Sequence, residues 1–433
     1  LKKLTINNTT GLQAFQLIRY GALIGISIFL TKFGLSREQI GIYETVLFIS
    51  GLLTFFWISG LTQAMLPLIK LSSDEKSPEL FNAFLVLILF SVASLAIGFF
   101  FESLFRKLDT ISNFPFFGLA LIYTALNAPG NLIEYIYLLK NRPKSIVAYG
   151  TVIFALQLLS VMAAILLGFE VIGAIYALMG VSVLKLIWVS LLVLKYSRIK
   201  FSLPFIEHFM ALGLPLTGKF LLSGSATYID SLIITSRFNL ATFAIFRYGA
   251  RDLPLVTLMA NGLSNSTLPE FAEQEKLKRT LTMLKERSLW LMHFLFPVTM
   301  VTIILSKPLF PIIFNPDFKD SAEIFMIYLL TISSRMVFPQ TVAIGLKKTR
   351  ALLSISFFEL ALNVSLSLLF VGWFGIAGVA WATVIAFLFE KMLITSYLYV
   401  KLGIKPALYT PLKQYFLYSA LTLLVFIFAM LWL

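Results

Sequence analysis

The sequence contains no cysteine. Disulfides, thiol catalysis and thiolate metal sites are therefore excluded. Histidine is nearly missing as well. His208 and His293 are the only two, and they stand too far apart to form a metal motif. Charge is scarce, at 13% of residues against about 25% in soluble domains. No Gly-rich phosphate cradle appears, so ATP is not expected as the direct energy source. No short apolar stretch followed by a small-residue cleavage site marks a signal peptide. The chain opens with Leu1 rather than Met, which suggests a trimmed or renumbered start.

What is present is apolar. Hydrophobic residues make up 59% of the 433, and the mean hydropathy is +0.90. A soluble fold averages about 45–50% apolar residues, so most of this surface needs lipid as its solvent. Long unbroken runs such as Phe84–Phe101 and Ile146–Leu167 suit helices, which satisfy their own backbone hydrogen bonds in hydrocarbon. Short alternating strands of the barrel type are not seen. The 15% of aromatic residues are expected mostly to face lipid or pack between helices.

Apolar periodicity predicts helices at 10–34, 39–69, 80–102, 114–139, 146–168, 171–195, 208–236, 241–268, 288–306, 320–346, 350–371, 375–400 and 412–432. The last of these stops at the chain end, which leaves a fourteenth open. A surface helix is expected in the loop near Glu270–Arg287. Net charge is +14, and it follows topology rather than any nucleic-acid partner. Alternate loops hold 21 and 7 Lys and Arg residues. The rich set includes Lys2, Lys3, Lys70, Lys140, Arg142, Lys144, Lys276, Lys347, Lys348 and Arg350. By the positive-inside rule this set, and with it the N-terminus, is cytoplasmic.

The chain also repeats itself. Gly60–Pro67 reads against Gly262–Pro269 at an offset of 202, and Phe169–Ala174 against Phe374–Val379 at 205. Leu139-Lys140 matches Leu346-Lys347. The expected architecture is an all-α polytopic membrane protein of two pseudo-symmetric six-helix lobes, 1–200 and 201–403, around a central cavity. A further helix occupies 404–433. A parallel repeat of this kind suits alternating access about a midplane site.

Three segments carry a resemblance. Phe374-Gly375-Ile376-Ala377-Gly378-Val379-Ala380-Trp381-Ala382-Thr383 opens a late helix, Gln39-Ile40-Gly41-Ile42-Tyr43 opens the second, and Asp317-Phe318-Lys319-Asp320-Ser321-Ala322 enters the tenth. In order and spacing they resemble the polysaccharide (O-antigen type) flippases of the multidrug/oligosaccharidyl-lipid/polysaccharide exporter superfamily. The resemblance implies a multi-pass protein of the bacterial inner membrane. It implies a transporter, not an enzyme, that flips undecaprenyl-pyrophosphate-linked sugar beside polysaccharide polymerase machinery. The thirteenth helix departs from a twelve-helix version of that fold.

Charges inside helices point the same way, because one at a helix centre costs about 2.5–3.5 kcal/mol. Lys219, Ser223, Thr227 and Asp230 fall on one face, and Arg247 and Arg251 stand one turn apart. Arg19, Lys219, Arg247 and Arg251 are the candidate substrate residues, since guanidinium forks and an ammonium suit a pyrophosphate. Glu44, Asn127, Asn131, Glu134, Asp230 and Asp252 are candidate ion-coupling or cavity polar groups. No cofactor is expected beyond a coupling proton or Na+. Lys185, Glu359, Glu390 and Lys391 read as structural pairs or snorkelling side chains.

The alternatives are a multidrug or small-solute antiporter of the same fold and a membrane glycosyltransferase or polymerase. A lipid scramblase or scaffold is a further one. A drug cavity should be lined by acids and aromatics. A transferase or polymerase usually needs a large outer loop, and the outer loops here are short. Buried charge disfavours a scramblase or scaffold.

Overall fold

A computed structural model describes residues 7–33, 35–69, 76, 78–107, 114–272 and 277–432. Lys2, Lys3, Lys70 and Lys276, which entered the topology count, lie outside the described residues, as do the side chains of Ser223 and Thr227.

The described chain is helical. In order come α1 (Asn8–Lys32), α2 (Arg37–Leu68), α3 (Glu79–Lys107), α4 (Phe117–Asn127), α5 (Leu132–Leu139), α6 (Pro143–Leu166), α7 (Glu170–Tyr196) and α8 (Leu203–Arg237). These are followed by α9 (Leu240–Gly249), α10 (Pro254–Thr267), α11 (Leu277–Ile313), α12 (Lys319–Leu329), α13 (Ile332–Arg335), α14 (Pro339–Gly345), α15 (Thr349–Leu402) and α16 (Leu412–Trp432). The first two starts are set locally. Asn7 and Thr10, then Ser36 and Gln39, exchange side-chain and backbone hydrogen bonds as capping boxes.

Every segment expected to be helical is helical, but the count of spans differs. Among the described residues nine helices are long and apolar enough to cross a membrane, or ten if one bent pair forms a single span. Four local features account for the difference from thirteen. Pro129-Gly130 tightens the fourth segment into a 3-10 turn at Ala128–Asn131 between α4 and α5. The 241–268 segment, expected to be continuous, ends its first helix at Gly249 and restarts at Pro254. Proline cannot donate to the preceding turn and disfavours helix at the residue before it. The tenth segment bends by 45° ahead of Pro339. The eleventh and twelfth run together as α15 around Gly375, at φ 58° and ψ −141°. The surface helix expected near Glu270–Arg287 is instead the opening of α11, which is continuous from Leu277.

The repeat is visible in the backbone. Non-helical positive φ occurs at Asn141 (52°) and Lys347 (60°), and again at Glu170 (50°) and Gly375 (58°). These pairs fall at nearly the offset that separates the matching sequence segments. Both copies of the fourth segment are broken, at Ala128–Asn131 and between α12 and α14.

Two compact units result. One comprises Leu1–Tyr228 with Phe238–Ala244, and the other Ile229–Arg237 with Ile245–Leu433. In the first, α8 lies close on α2: a Cβ at Gly60 would strike Thr217, and Tyr228 stacks on Phe55 at 4.3 Å between ring centroids. Its core gathers Trp57, Leu61, Met65, Leu132, Ile133, Ile153 and Phe209. In the second, α16 docks on α11. His293 Nδ1 and the Tyr418 hydroxyl share a hydrogen bond of 2.6 Å, and Lys307 Nζ donates to the Met430 carbonyl. Large apolar side chains such as Phe100, Leu167, Val400 and Trp432 point outward, as a lipid solvent requires.

Gly375 sits in a backbone region that is essentially glycine-only, where a side chain costs about 1–3 kcal/mol. Gly375→Ala should lower the thermal stability of the purified protein by that amount. Gly372→Ala, in regular helix with open space at its Cβ, should be neutral or slightly stabilising. Equal melting shifts for the two would contradict the assignment.

Candidate functional site

Charged and polar side chains collect near the helix breaks, in each unit separately. In the second unit the focus is Asp230, which is 1% exposed near the C-terminal end of α8. Its Oδ2 accepts hydrogen bonds from the Thr383 hydroxyl at 2.6 Å and the Tyr328 hydroxyl at 3.1 Å. Its Oδ1 has no hydrogen-bond partner. Asn363 Nδ2 donates to Thr383 Oγ1 at 3.2 Å, while Asn363 Oδ1 and Ser367 Oγ are buried and unpartnered. The bend at Gly375 makes this possible: it turns α15 back on itself, so that Thr383 faces Asn363. The first half of α15 stacks Glu359, Asn363 and Ser367 at successive turns on one face. All three are buried.

A second group in this unit lies at the other breaks. Asp252 and Arg335 form an ion pair of 2.6 Å with side chains 42% and 25% exposed, beside Thr257, Tyr328 and Thr331. Arg251 is not one helical turn above Arg247, as an unbroken helix would place it. It falls in the Ala250–Leu253 break, with its guanidinium 4.7 Å from the Tyr248 ring centroid. Arg247 lies in the last turn of α9.

In the first unit the 3-10 turn after Asn127 is again the organising feature. Gly130 lets α7 come close, since a Cβ there would stand 2.9 Å from Lys185 Cβ. Lys185 Nζ donates to Asn127 Oδ1 at 2.7 Å. Asn131 Nδ2 donates back to the Ala128 carbonyl at 3.0 Å, within the same tightened turn. Glu134 and Arg19 act electrostatically on this lysine. Lys185 is thus a half-buried side chain tied to Asn127 rather than a snorkelling one. Arg19 and Lys219 stand mid-helix on α1 and α8 and are exposed. Neither makes an ion pair among the described residues. Lys219 Nζ lies 5.8 Å from the Phe220 ring centroid. Glu44 is buried in α2, at 4% exposure.

Of the candidate residues, Asn127 contacts Lys185 directly while Glu134 and Arg19 act on it only electrostatically, and Asp230 has a set of partners in its own unit. The structure does not join Asp252 to Asp230 directly. Tyr328, Asn363 and Thr383 were missed. Thr383 stood in the family motif, yet nothing in charge or periodicity singles out a neutral hydroxyl or amide.

Residues 31–323 match the family model described as "Polysaccharide biosynthesis protein". No curated protein matches the chain. Among solved structures the chain is similar to a lipid II flippase, MurJ, in an inward closed conformation. The TM-score is 0.71 at 16% identity, over 97% of this chain and 93% of that one. It is also similar to an inward-facing multidrug resistance MATE family transporter of the MOP superfamily (0.64, 16%, 93% and 99%). A third is a MOP superfamily transporter from Pyrococcus furiosus with a binding pocket of reversed polarity (0.58, 16%, 91% and 94%). At such identity the likeness establishes a shared fold.

The Thr383 hydroxyl and the Asp230 carboxylate should couple. Thr383→Val should destabilise the native protein by about 1.5–3 kcal/mol, the range for hydrogen bonds to charged groups. It should cost clearly less in an Asp230→Asn background. Additive losses in a melting-based double-mutant cycle would show that the contact is not energetically real.

Proposed function

The chain belongs to the polysaccharide biosynthesis protein family, and we propose that it flips a polyprenyl-pyrophosphate-linked oligosaccharide across a bacterial cytoplasmic membrane by alternating access. One observation carries the reading. Arg19 and Lys219 are held mid-helix, exposed and without an ion-pair partner among the described residues. A structural charge in hydrocarbon is paired or hydrogen-bonded, because leaving it bare costs about 2.5–3.5 kcal/mol. Bare bases make sense as the halves of ion pairs that a ligand completes. A pyrophosphate is the lipid headgroup that matches a guanidinium fork and an ammonium. Arg247 and Arg251, in the second unit, are proposed as phosphate-binding groups on the same chemical ground. The Lys and Arg bias between alternate loops supports a cytoplasmic N-terminus.

The cation that drives the cycle is assigned to Asp230. Two hydroxyls donate to one of its oxygens, and the other oxygen is bare. The bare oxygen is a place for a proton, which removes the charge altogether. The first unit therefore presents free positive charge to an anion, and the second buries a carboxylate that a proton can neutralise.

Two experiments test the assignments in proteoliposomes loaded with headgroup-labelled lipid-linked oligosaccharide. Arg19→Ala, Arg247→Ala and Arg251→Ala should each slow translocation roughly ten- to a hundredfold with the fold retained, the loss of one charged hydrogen-bonding partner. Full flipping in all three variants refutes the anion site. Asp230→Asn should abolish the response of flipping to an imposed proton gradient. A response to a sodium gradient alone reassigns the cation, and unchanged proton dependence removes Asp230 from the role.

A further inference from the structure

Beyond Asp230 the second unit buries another carboxylate that the transport reading leaves unused. Glu359 lies on the first half of α15 and is 6% exposed, and its Oε1 is buried with no hydrogen-bond partner. One and two turns along the same face stand Asn363 and Ser367, whose unpartnered atoms continue the line. Asn363 touches Thr383, and Thr383 touches Asp230. In the other direction lies a paired end: Lys391 Nζ bonds Glu390 Oε2 at 2.6 Å and Gln340 Oε1 at 3.0 Å. Those two charged side chains are 17% and 13% exposed.

The charged groups acting on Glu359 are Glu390, Lys391 and Asp230. On α12 and α13, which pack on α15, Tyr328 is committed to Asp230 and Arg335 to Asp252. Lys391 is already engaged by Glu390 and Gln340. A carboxylate kept only for structure would be paired on both oxygens, and Glu359 is not.

We infer that Glu359 is a second proton-carrying station of this unit, through which Asp230 exchanges its proton with the membrane side that holds Lys347, Lys348 and Arg350. The inference rests on the assignment of the coupling proton to Asp230. The proton leaves Asp230 Oδ1 and ends on Glu359 Oε1, so Asp230 gains the negative charge that Glu359 loses. It then passes towards the Glu390–Lys391 end and out to water. Glu359 and Asn363 stand one helical turn apart on α15, a backbone advance of about 5.4 Å, and a bridging water would complete the path between them.

The test uses the purified full-length chain in detergent, mixed rapidly to higher pH in weak buffer. A pH-indicator dye reads the number and rate of protons released. Glu359→Gln should release one proton fewer per chain than the natural protein, and the proton from Asp230 should leave roughly a hundredfold more slowly. Asp230→Asn should lose its own proton and keep that of Glu359. A Glu359→Gln protein equal to the natural one in count and rate overturns the inference. So does one that loses a proton without slowing the other, because Glu359 then titrates off the path. Natural release from Asp230→Asn refutes the Asp230 assignment separately, whatever Glu359 does. If Glu359→Gln fails gel filtration, Asn363→Ala carries the test. It should keep the proton count and slow the release, and a natural rate in it overturns the inference.

Discussion

The cost of an ionised side chain in hydrocarbon orders this molecule. Among the described residues, charges within the helices are handled in several ways. Some are paired, as Asp252 with Arg335 and Glu390 with Lys391. Some are held by neutral hydrogen-bonding groups, as the half-buried Lys185 by Asn127 and the buried Asp230 by Tyr328 and Thr383. Arg19 and Lys219 are left exposed and unpaired among the described residues. The first two ways are how a membrane protein tolerates charge. The third is what a transporter of an anion needs.

The helix breaks supply the places where this charge can be held. A regular helix uses all its own backbone groups and offers a ligand only side chains. A break frees carbonyls and amides and brings neighbouring helices close. Lys185 reaches Asn127 where α4 tightens into its 3-10 turn. Arg251 and Asp252 fall in the gap before Pro254, and Arg335 in the short helix before Pro339. Thr383 meets Asn363 because α15 folds back at Gly375. Broken helices around polar sites are a general device of secondary transporters. Here each break traces to a proline or glycine visible in the sequence.

Much of this was legible beforehand. The apolar runs located every helical segment, because in lipid the span length and the backbone demand leave few alternatives. The repeat offset reappears as paired positive φ values at Asn141 and Lys347 and at Glu170 and Gly375. The family resemblance, drawn from segments at helix entries, agrees with the match over residues 31–323. What could not be read was local. Pro254 stood inside a segment read as one continuous helix, so the break before it, and its effect on the register between Arg247 and Arg251, was not foreseen. Lys185 looked like a residue near a helix end, and only Gly130 and Asn127 show why it turns inward. Neutral partners such as Tyr328, Asn363 and Thr383 carry no charge pattern, so the setting of Asp230 was invisible.

The central claim is that free bases in the membrane await a phosphorylated headgroup. Binding of undecaprenyl pyrophosphate, undecaprenol and a lipophilic cation to the purified chain, compared side by side by native mass spectrometry, tests it most directly. The account predicts retention of the pyrophosphate alone, weakened when Arg19 and Lys219 are both replaced by Ala. Equal retention of the uncharged alcohol, or preference for the cation, would contradict it.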